Sequence, residues 1–398
     1  MPSIFTEKPP RWLIPLLGSL VAFGPLSIDM YLPALPSMGQ QLQATQGQMQ
    51  HSLGAFFVGF CIGMLLYGPL SDRLGRRKLL LSGILLFVIA SMLCTQVSGV
   101  EQLVTLRVLQ AFGSGAAVVM ARAIARDIYS SSELPHVLSL MTLVTMIAPL
   151  LAPLVGGMLL TLINWQAIFI LLAMLGAVSG LLVFLVLPET LKVRPEHSVL
   201  QAFHNYCLLM RDKQVMGIIA TLAFSFAGMF AFISGSPFVY ISYFHVPARY
   251  YGILFGCNII GMIAVLLLNV RLLKVYSLPR LLMLQSTAQL LFGLLLLIFH
   301  QQSLSVVAVL IVLFMSLVNA IGTNSLSLLL QHRGQLAGSA SALAVSLQFG
   351  MGALASLAVS WLQDDTPFAM TLVMAICAVL AWAAQQMSVA RLNPNRAA

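Results

Sequence analysis

An all-α integral membrane protein with twelve transmembrane helices in two six-helix bundles is what three observations on this 398-residue chain predict. Composition is the first: 60% of the residues are hydrophobic and only 8% are charged, against about 25% charged in soluble domains, and mean hydropathy is +0.97. The second is that apolar runs of about 20 residues, enough to cross a hydrocarbon core of about 30 Å, recur from end to end. Third, basic residues collect in alternate loops, which is the signature of a chain that crosses a bilayer repeatedly.

Taken in order, the runs place helices at 12–34, 49–70, 79–97, 102–122, 137–161 and 165–187, then at 214–240, 249–270, 280–300, 304–328, 337–361 and 368–388. The first run contains an acid and a cluster of prolines and lacks a small-residue cleavage site, so it is expected to remain as the first helix rather than be removed as a signal. The second and third are separated by the charged corner 71–78, and the fourth carries Arg107 within its apolar pattern. The fifth is rich in Pro and Gly, and the sixth opens on Trp165. The seventh is rich in aromatic residues and breaks at Gly235-Ser236-Pro237. Only Gln301, Gln302 and Ser303 divide the ninth from the tenth. The most polar stretch, 188–213, holds Glu189, Lys192, Arg194, Glu196, His197, Asp212 and Lys213, and reads as a cytoplasmic linker, partly an amphipathic helix on the membrane surface. The expected domains are therefore 1–187, linker 188–213, and 214–398. The halves also echo each other at an offset of about 200 residues, 71–78 against 269–274, as in transporters built from repeated units.

The net charge of +9 invites a nucleic-acid reading, which its distribution rejects. With the N-terminus inside, every Lys and Arg except Arg107 and Arg249 falls on the cytoplasmic side, which puts both termini in the cytoplasm. The five cysteines show no close pairing and read as small apolar filler. No phosphate loop, metal-ligand cluster, nucleophile elbow or paired carboxylate is present, which points away from an enzyme, a metal site or direct use of ATP.

Asp29 is the only one of the 11 acids that lies well within a spanning stretch. A carboxylate there costs about 2.5–3.5 kcal/mol on insertion scales and marks an ion or substrate pathway, or else a structural cap or ion pair. Pro25, Asp29 and Pro33 share a helix face by four-residue spacing, and proline frees carbonyls that must then meet protein or a wet cavity. Arg107 is the natural counter-charge, in a polar stripe with Gln110 and Ser114; its alternatives are a fixed ion pair or snorkelling to the interface. Tyr31 and Gln110 join Phe226, Met229, Phe230, Asn258, Asn319 and Gln348 as candidate contacts to a lipophilic ligand, against simple interhelical packing or hydrogen bonding. Gly68, Asp72, Arg73, Gly75 and Arg76 form a charged corner that, with Asp127, would latch the cytoplasmic side. Pro149, Pro153, Gly156 and Gly157 give the fifth helix a bend and a close-packing stripe, which serves packing alone or a hinge or proton seal.

These residues carry a family resemblance. The run Gly68-Pro69-Leu70-Ser71-Asp72-Arg73-Leu74-Gly75-Arg76-Arg77 resembles the signature after helix two of the major facilitator superfamily, and Arg107–Gln110–Gly113 resembles its helix-four motif. The stretch 148–157 is similar to the helix-five motif of antiporters, although Ala148 and Ala152 stand where many antiporters have Gly. Asp29-Met30-Tyr31-Leu32-Pro33 resembles the helix-one motif of drug:H⁺ antiporters with twelve spans. Within them the chain looks most like the bicyclomycin-resistance (Bcr/CflA) family, on residues 25–36, 165–169 and 224–230. The resemblance implies the major facilitator fold and proton-driven export of small lipophilic or amphiphilic drugs, such as bicyclomycin or phenicols, across a bacterial inner membrane. It further implies Asp29 and Arg107 as the coupling pair, H⁺ as the only coupling ion with no cofactor, and a functional monomer. The same charged pair would serve the alternative, a proton symporter importing a small nutrient.

Overall fold

The computed structural model describes residues 10, 12–130, 132–191, 199–332, 336–362 and 364–392. Among them, all regular structure is helical, and 12 helices are long and apolar enough to cross a membrane. Residues 192–198 of the linker, with Lys192, Arg194, Glu196 and His197, lie outside the described residues, as do the basic residues Lys8, Arg11, Arg333 and Arg396.

The first span is broken. Helix α1 (Leu13–Asp29) stops at the acid, a 3-10 turn (Leu32–Ala34) follows, and a short α2 (Leu35–Gln41) completes the crossing. The sequence pattern predicts one helix over 12–34, but Pro33 and Pro36 each lack an N–H, so the ladder cannot pass through this stretch. The break also turns Pro33 off the shared face: it is buried, whereas Pro25 and Asp29 line the central cavity.

The rest of the first bundle is α3 (Gln46–Leu74), α4 (Arg76–Cys94), α5 (Val100–Ile128), α6 (Leu134–Leu162) and α7 (Gln166–Val186). Helix α8 (Val199–Arg211) precedes the second bundle of α9 (Lys213–Pro237), α10 (Ala248–Leu272), α11 (Leu278–Ile298), α12 (Leu304–His332), α13 (Ala337–Trp361) and α14 (Phe368–Leu392). Local chemistry sets several ends. Thr45 and Gln48 form a reciprocal capping box at the start of α3, with Thr45 N donating to Gln48 Oε1 at 2.8 Å. The Asp212 carboxylate accepts from Gln214 N at 3.0 Å to start α9. Beyond Pro237 the chain continues as a π-helical turn over Phe238–Tyr243 in place of a clean break.

Outward faces are apolar: Leu85, Leu185, Ile260 and Leu267 are each at least 60% exposed. A surface of this kind suits lipid and not water. The bundles meet along two pairs of helices, α3 with α13 and α6 with α10. Near the corner between α3 and α4, hereafter the basic end, each bundle has a polar clamp. In the first, Arg76 donates to Asp72 Oδ1 at 2.8 Å and to Asp127 Oδ2 at 3.2 Å. In the second, the clamp is made of amides. Gln285 Nε2 donates to Asn269 Oδ1 at 2.7 Å, and Asn324 Nδ2 donates to Asn269 Oδ1 at 2.8 Å and to Gln285 Oε1 at 2.9 Å.

Candidate functional site

Between the bundles lies a cavity of about 420 Å³, within the range of small-molecule sites. Its inner wall carries Asp29, Pro25 and Gly24 of α1, Phe60 of α3, Phe226, Met229 and Phe230 of α9, and Phe255 and Asn258 of α10. Toward the basic end it continues past Asn319, Gln348 and Phe349 to Arg122, Thr142 and Thr323, which are solvent-exposed. Asp29, at the other extreme, is only 4% exposed. The cavity thus opens at the basic end and closes beyond Asp29.

Direct bundle-to-bundle contacts make the closure. Ser360 Oγ of α13 donates to Gly47 O of α3 at 2.7 Å, and a Cβ on Gly47 would meet the Ser360 carbonyl oxygen at 2.9 Å. Ser356 Oγ of α13 also reaches Gln50 O of α3 at 3.5 Å and is held within its own bundle by Ser234 Oγ at 2.9 Å. On the other seam, a Cβ on Gly252 of α10 would lie 2.8 Å from the Leu154 nitrogen of α6. Deeper in, Phe57 packs on Phe230 with ring centroids 4.4 Å apart, and Phe60 packs edge-on against Phe349 at 4.6 Å. The candidate helix-five residues belong to this region. A Cβ on Gly156 would stand 2.1 Å from Met30 O, directly after Asp29, and one on Gly157 would stand 3.1 Å from Ala248 O. Pro149 lines the cavity.

Arg107 is fully buried, so it does not snorkel. Nor does it form the expected direct pair with Asp29; the ion pairs found near the basic end are those of Arg76 with Asp72 and Asp127. Its guanidinium donates through Nη2 to Ser27 O at 2.9 Å and through Nη1 to Gln110 Oε1 at 2.6 Å. The physical reason lies in the break of the first span, since a carbonyl in the last turn of a helix lacks an intrahelical donor and offers a ready acceptor. The cation also lies 4.5 Å over the Tyr31 ring and 4.3 Å over the Phe56 ring, a cation–π sandwich. Gln110 passes the network on to Ser91 Oγ at 2.8 Å, and the Tyr31 hydroxyl pairs with Ser52 Oγ at 2.8 Å. Tyr31 and Gln110 therefore hold Arg107 and do not line the cavity. Arg107 in turn ties α5 to the turn that presents Asp29. Tyr251 of α10 is fully buried, and its hydroxyl pairs with Ser236 Oγ at 2.8 Å.

The remaining candidates sort by position. Phe226, Met229, Phe230, Asn258, Asn319 and Gln348 all line the cavity. Gly75 joins α3 to α4 at φ 94°, and its missing Cβ leaves room for the Glu189 carboxylate. That carboxylate accepts from Arg76 N at 2.8 Å and Arg77 N at 3.3 Å, capping α4. Arg76 also donates to Ser71, while Asp127 accepts from Thr190 Oγ1 at 3.2 Å. Arg73 is exposed, and a Cβ on Gly68 would meet open space. The whole corner is thus built from the first bundle and the first residues of the linker. Asp72 makes its ion pair there, with Arg76 of α4. Sequence reasoning missed Glu189, Tyr251 and the cavity residue Arg122. Arg122 was counted among the topological arginines, and only its i−4 neighbour Val118, which also lines the cavity, hints at the face it occupies.

Comparison with known proteins agrees with this architecture. The profile of the Major Facilitator Superfamily matches residues 17–356. The chain is 32% identical over 370 residues to the bicyclomycin resistance protein homolog of Haemophilus influenzae, covering 92% of each. It is 33% identical over 255 residues to multidrug resistance protein D of Escherichia coli, covering 61% of this chain and 65% of that protein. Among solved structures it resembles the nucleoside transporter NupG with a TM-score of 0.74, at 16% identity over 94% of this chain and 99% of that one, a likeness of fold. With twelve spans, two bundles joined across a central cavity, and a family profile along most of its length, this chain belongs to the Major Facilitator Superfamily of membrane transporters.

Proposed function

We propose that this protein exports small lipophilic or amphiphilic drugs across a bacterial inner membrane in exchange for protons, by alternating access. One observation carries the reading: Asp29, the only acid lining the central cavity among the described residues, sits at its closed end, where the two bundles meet. A carboxyl group there can hold a proton in one state and release it in the other, and its position beside the inter-bundle seam ties that change to which side opens. By the positive-inside rule the basic end and both termini face the cytoplasm. The conformation described here then receives drug from inside the cell.

In the cycle, drug enters from the cytoplasmic mouth and settles on Phe226, Met229, Phe230, Asn258, Asn319 and Gln348, displacing the proton from Asp29. The bundles then rock. The ionic corner of Gly68, Asp72, Arg73, Gly75, Arg76 and Asp127 closes against the second bundle as a latch, while the seam between Gly157 and Ala248 parts and Gly156 keeps α6 packed on the turn after Asp29. Reprotonation of Asp29 from outside resets the carrier, and one inward charge releases about 2.3 kcal/mol per 100 mV. Arg107 completes the coupling pair through the chain turn, by fixing Ser27 and Tyr31 on either side of Asp29. The protein works as a monomer with H⁺ as its only coupling ion. A wall of Phe and Met with a few amides suits a lipophilic guest better than the hydrogen-bond-rich nutrient that the symporter alternative needs. The names of the relatives, bicyclomycin resistance and multidrug resistance, support the same substrate class.

The test is Asp29→Asn in oriented proteoliposomes with an imposed pH gradient. The variant is expected to insert normally and to lose gradient-driven export of bicyclomycin or chloramphenicol. Undiminished pumping would remove Asp29 from the mechanism.

A further inference from the structure

Among the described residues, two carry all the formal charge on the cavity wall: Asp29 at the closed end and Arg122 at the mouth. Both are fixed by the fold. Arg107, on the same helix as Arg122, reaches Ser27 beside Asp29, and about 22 Å of helix separates it from Arg122 at 1.5 Å per residue. Acid and base are thus at opposite ends of the chamber and do not neutralise each other. No ion pair holds Arg122 among the described residues. The next charge on its face of α5 is Arg126, of the same sign, and Asp127 is taken up by Arg76 and Thr190. The walls flanking Arg122 are neutral: Thr142, Thr145 and Met146 of α6 on one side, Leu266 of α10 and Thr323 of α12 on the other.

We infer that Arg122 is the specificity-determining residue of the cavity, admitting neutral and anionic amphiphiles and turning away lipophilic cations. The inference rests on the transport reading above for its consequence in export, but its first readout is binding alone. A fixed cation in a low-dielectric mouth attracts one sign of guest and repels the other. Without it, the lone Asp29 at the far end would make the same Phe- and Met-lined chamber favour cations. A carboxylate or phenolate drug would place its charge toward Arg122 and its apolar body on the Phe226–Phe230 wall, leaving Asp29 free to exchange its proton.

Tetraphenylborate and tetraphenylphosphonium have nearly the same size and shape and opposite charge, so their affinity ratio isolates the electrostatic contribution. With the purified full-length protein, the wild type is expected to bind the borate more tightly. Arg122→Gln should shift the ratio toward the phosphonium by about tenfold, Arg122→Glu should invert it, and Arg122→Lys should keep it. Arg126→Gln, outside the cavity wall, should leave it unchanged. An unaltered ratio in Arg122→Gln and Arg122→Glu, or an equal shift in Arg126→Gln, would overturn the inference by assigning selectivity to the apolar wall or to the general basic surface. Chloramphenicol export by the wild type, measured alongside in proteoliposomes, separates the two claims. If it is absent while the binding ratio still responds to Arg122, the transport reading fails and the charge filter stands; if it is present without a response, the reverse holds.

Discussion

A buried guanidinium costs a great deal unless its protons are used, and Arg107 shows how this chain meets that demand without a carboxylate. Two donated hydrogen bonds and two aromatic faces surround it. Replacing it with Met would leave Ser27 O and Gln110 Oε1 in a dry interior, at about 1–3 kcal/mol for each group left unpaired. Arg107→Met is therefore expected to lower the thermal unfolding temperature of the purified protein as well as its export, whereas Asp29→Asn should lower export alone. Equal stability of the two variants would show that the Arg107 network does not hold the turn. At this scale much of the site was legible from the chain. An acid inside an apolar run, and aromatic, Met and amide residues in the second half, pointed to the wall that the structure displays. Tyr31 and Gln110 could not be sorted the same way, because whether a polar side chain faces a ligand or a neighbouring cation depends on helix rotation, and periodicity does not supply it. Arg122 was hidden because a basic residue near a helix end satisfies membrane topology whichever way it points.

Among elements, the broken first span does most to shape the site. Its prolines end α1 at Asp29, and the freed chain then lies so close to α6 that only a glycine fits at 156. Gly156→Val places methyl groups where the Met30 carbonyl now stands. Backbone cannot retreat as a flexible side chain can, and overpacking of this kind costs about 1–3 kcal/mol. The variant is expected to lose export and to show increased accessibility of the closed end to membrane-impermeant thiol reagents at a cysteine placed at Ser52. Unchanged labelling and export would mean that α6 can shift without opening the seam. The elements themselves were readable because a span must be long and apolar, so all twelve follow from hydropathy. The break inside the first one was signalled by Pro33 and Pro36, yet hydropathy alone runs straight through them.

At the scale of the whole molecule, the proposed alternating access makes closure on one side and opening on the other two halves of one motion, with the bundles rocking about their shared seam. A disulfide between Gly47→Cys and Ser360→Cys, in a background lacking the five native cysteines, should fix the present conformation. Oxidation is expected to stop export and reduction to restore it; continued export by the oxidised protein would rule out a rocking motion that parts α3 from α13. The two-bundle division was foreshadowed by the echo between 71–78 and 269–274, whereas the conformation was not, since neither hydropathy nor spacing selects which end of a cavity is open. The two clamps at the basic end differ in a way that bears on how the halves respond to their surroundings. One is held by opposite charges that are partly open to water, Arg76 with Asp72 and Asp127; the other is knitted from uncharged amides on Asn269, Gln285 and Asn324. Raising the ionic strength of the medium weakens attraction between exposed charges and leaves amide pairing almost untouched, so brine should soften one half of this molecule while the other stays stiff.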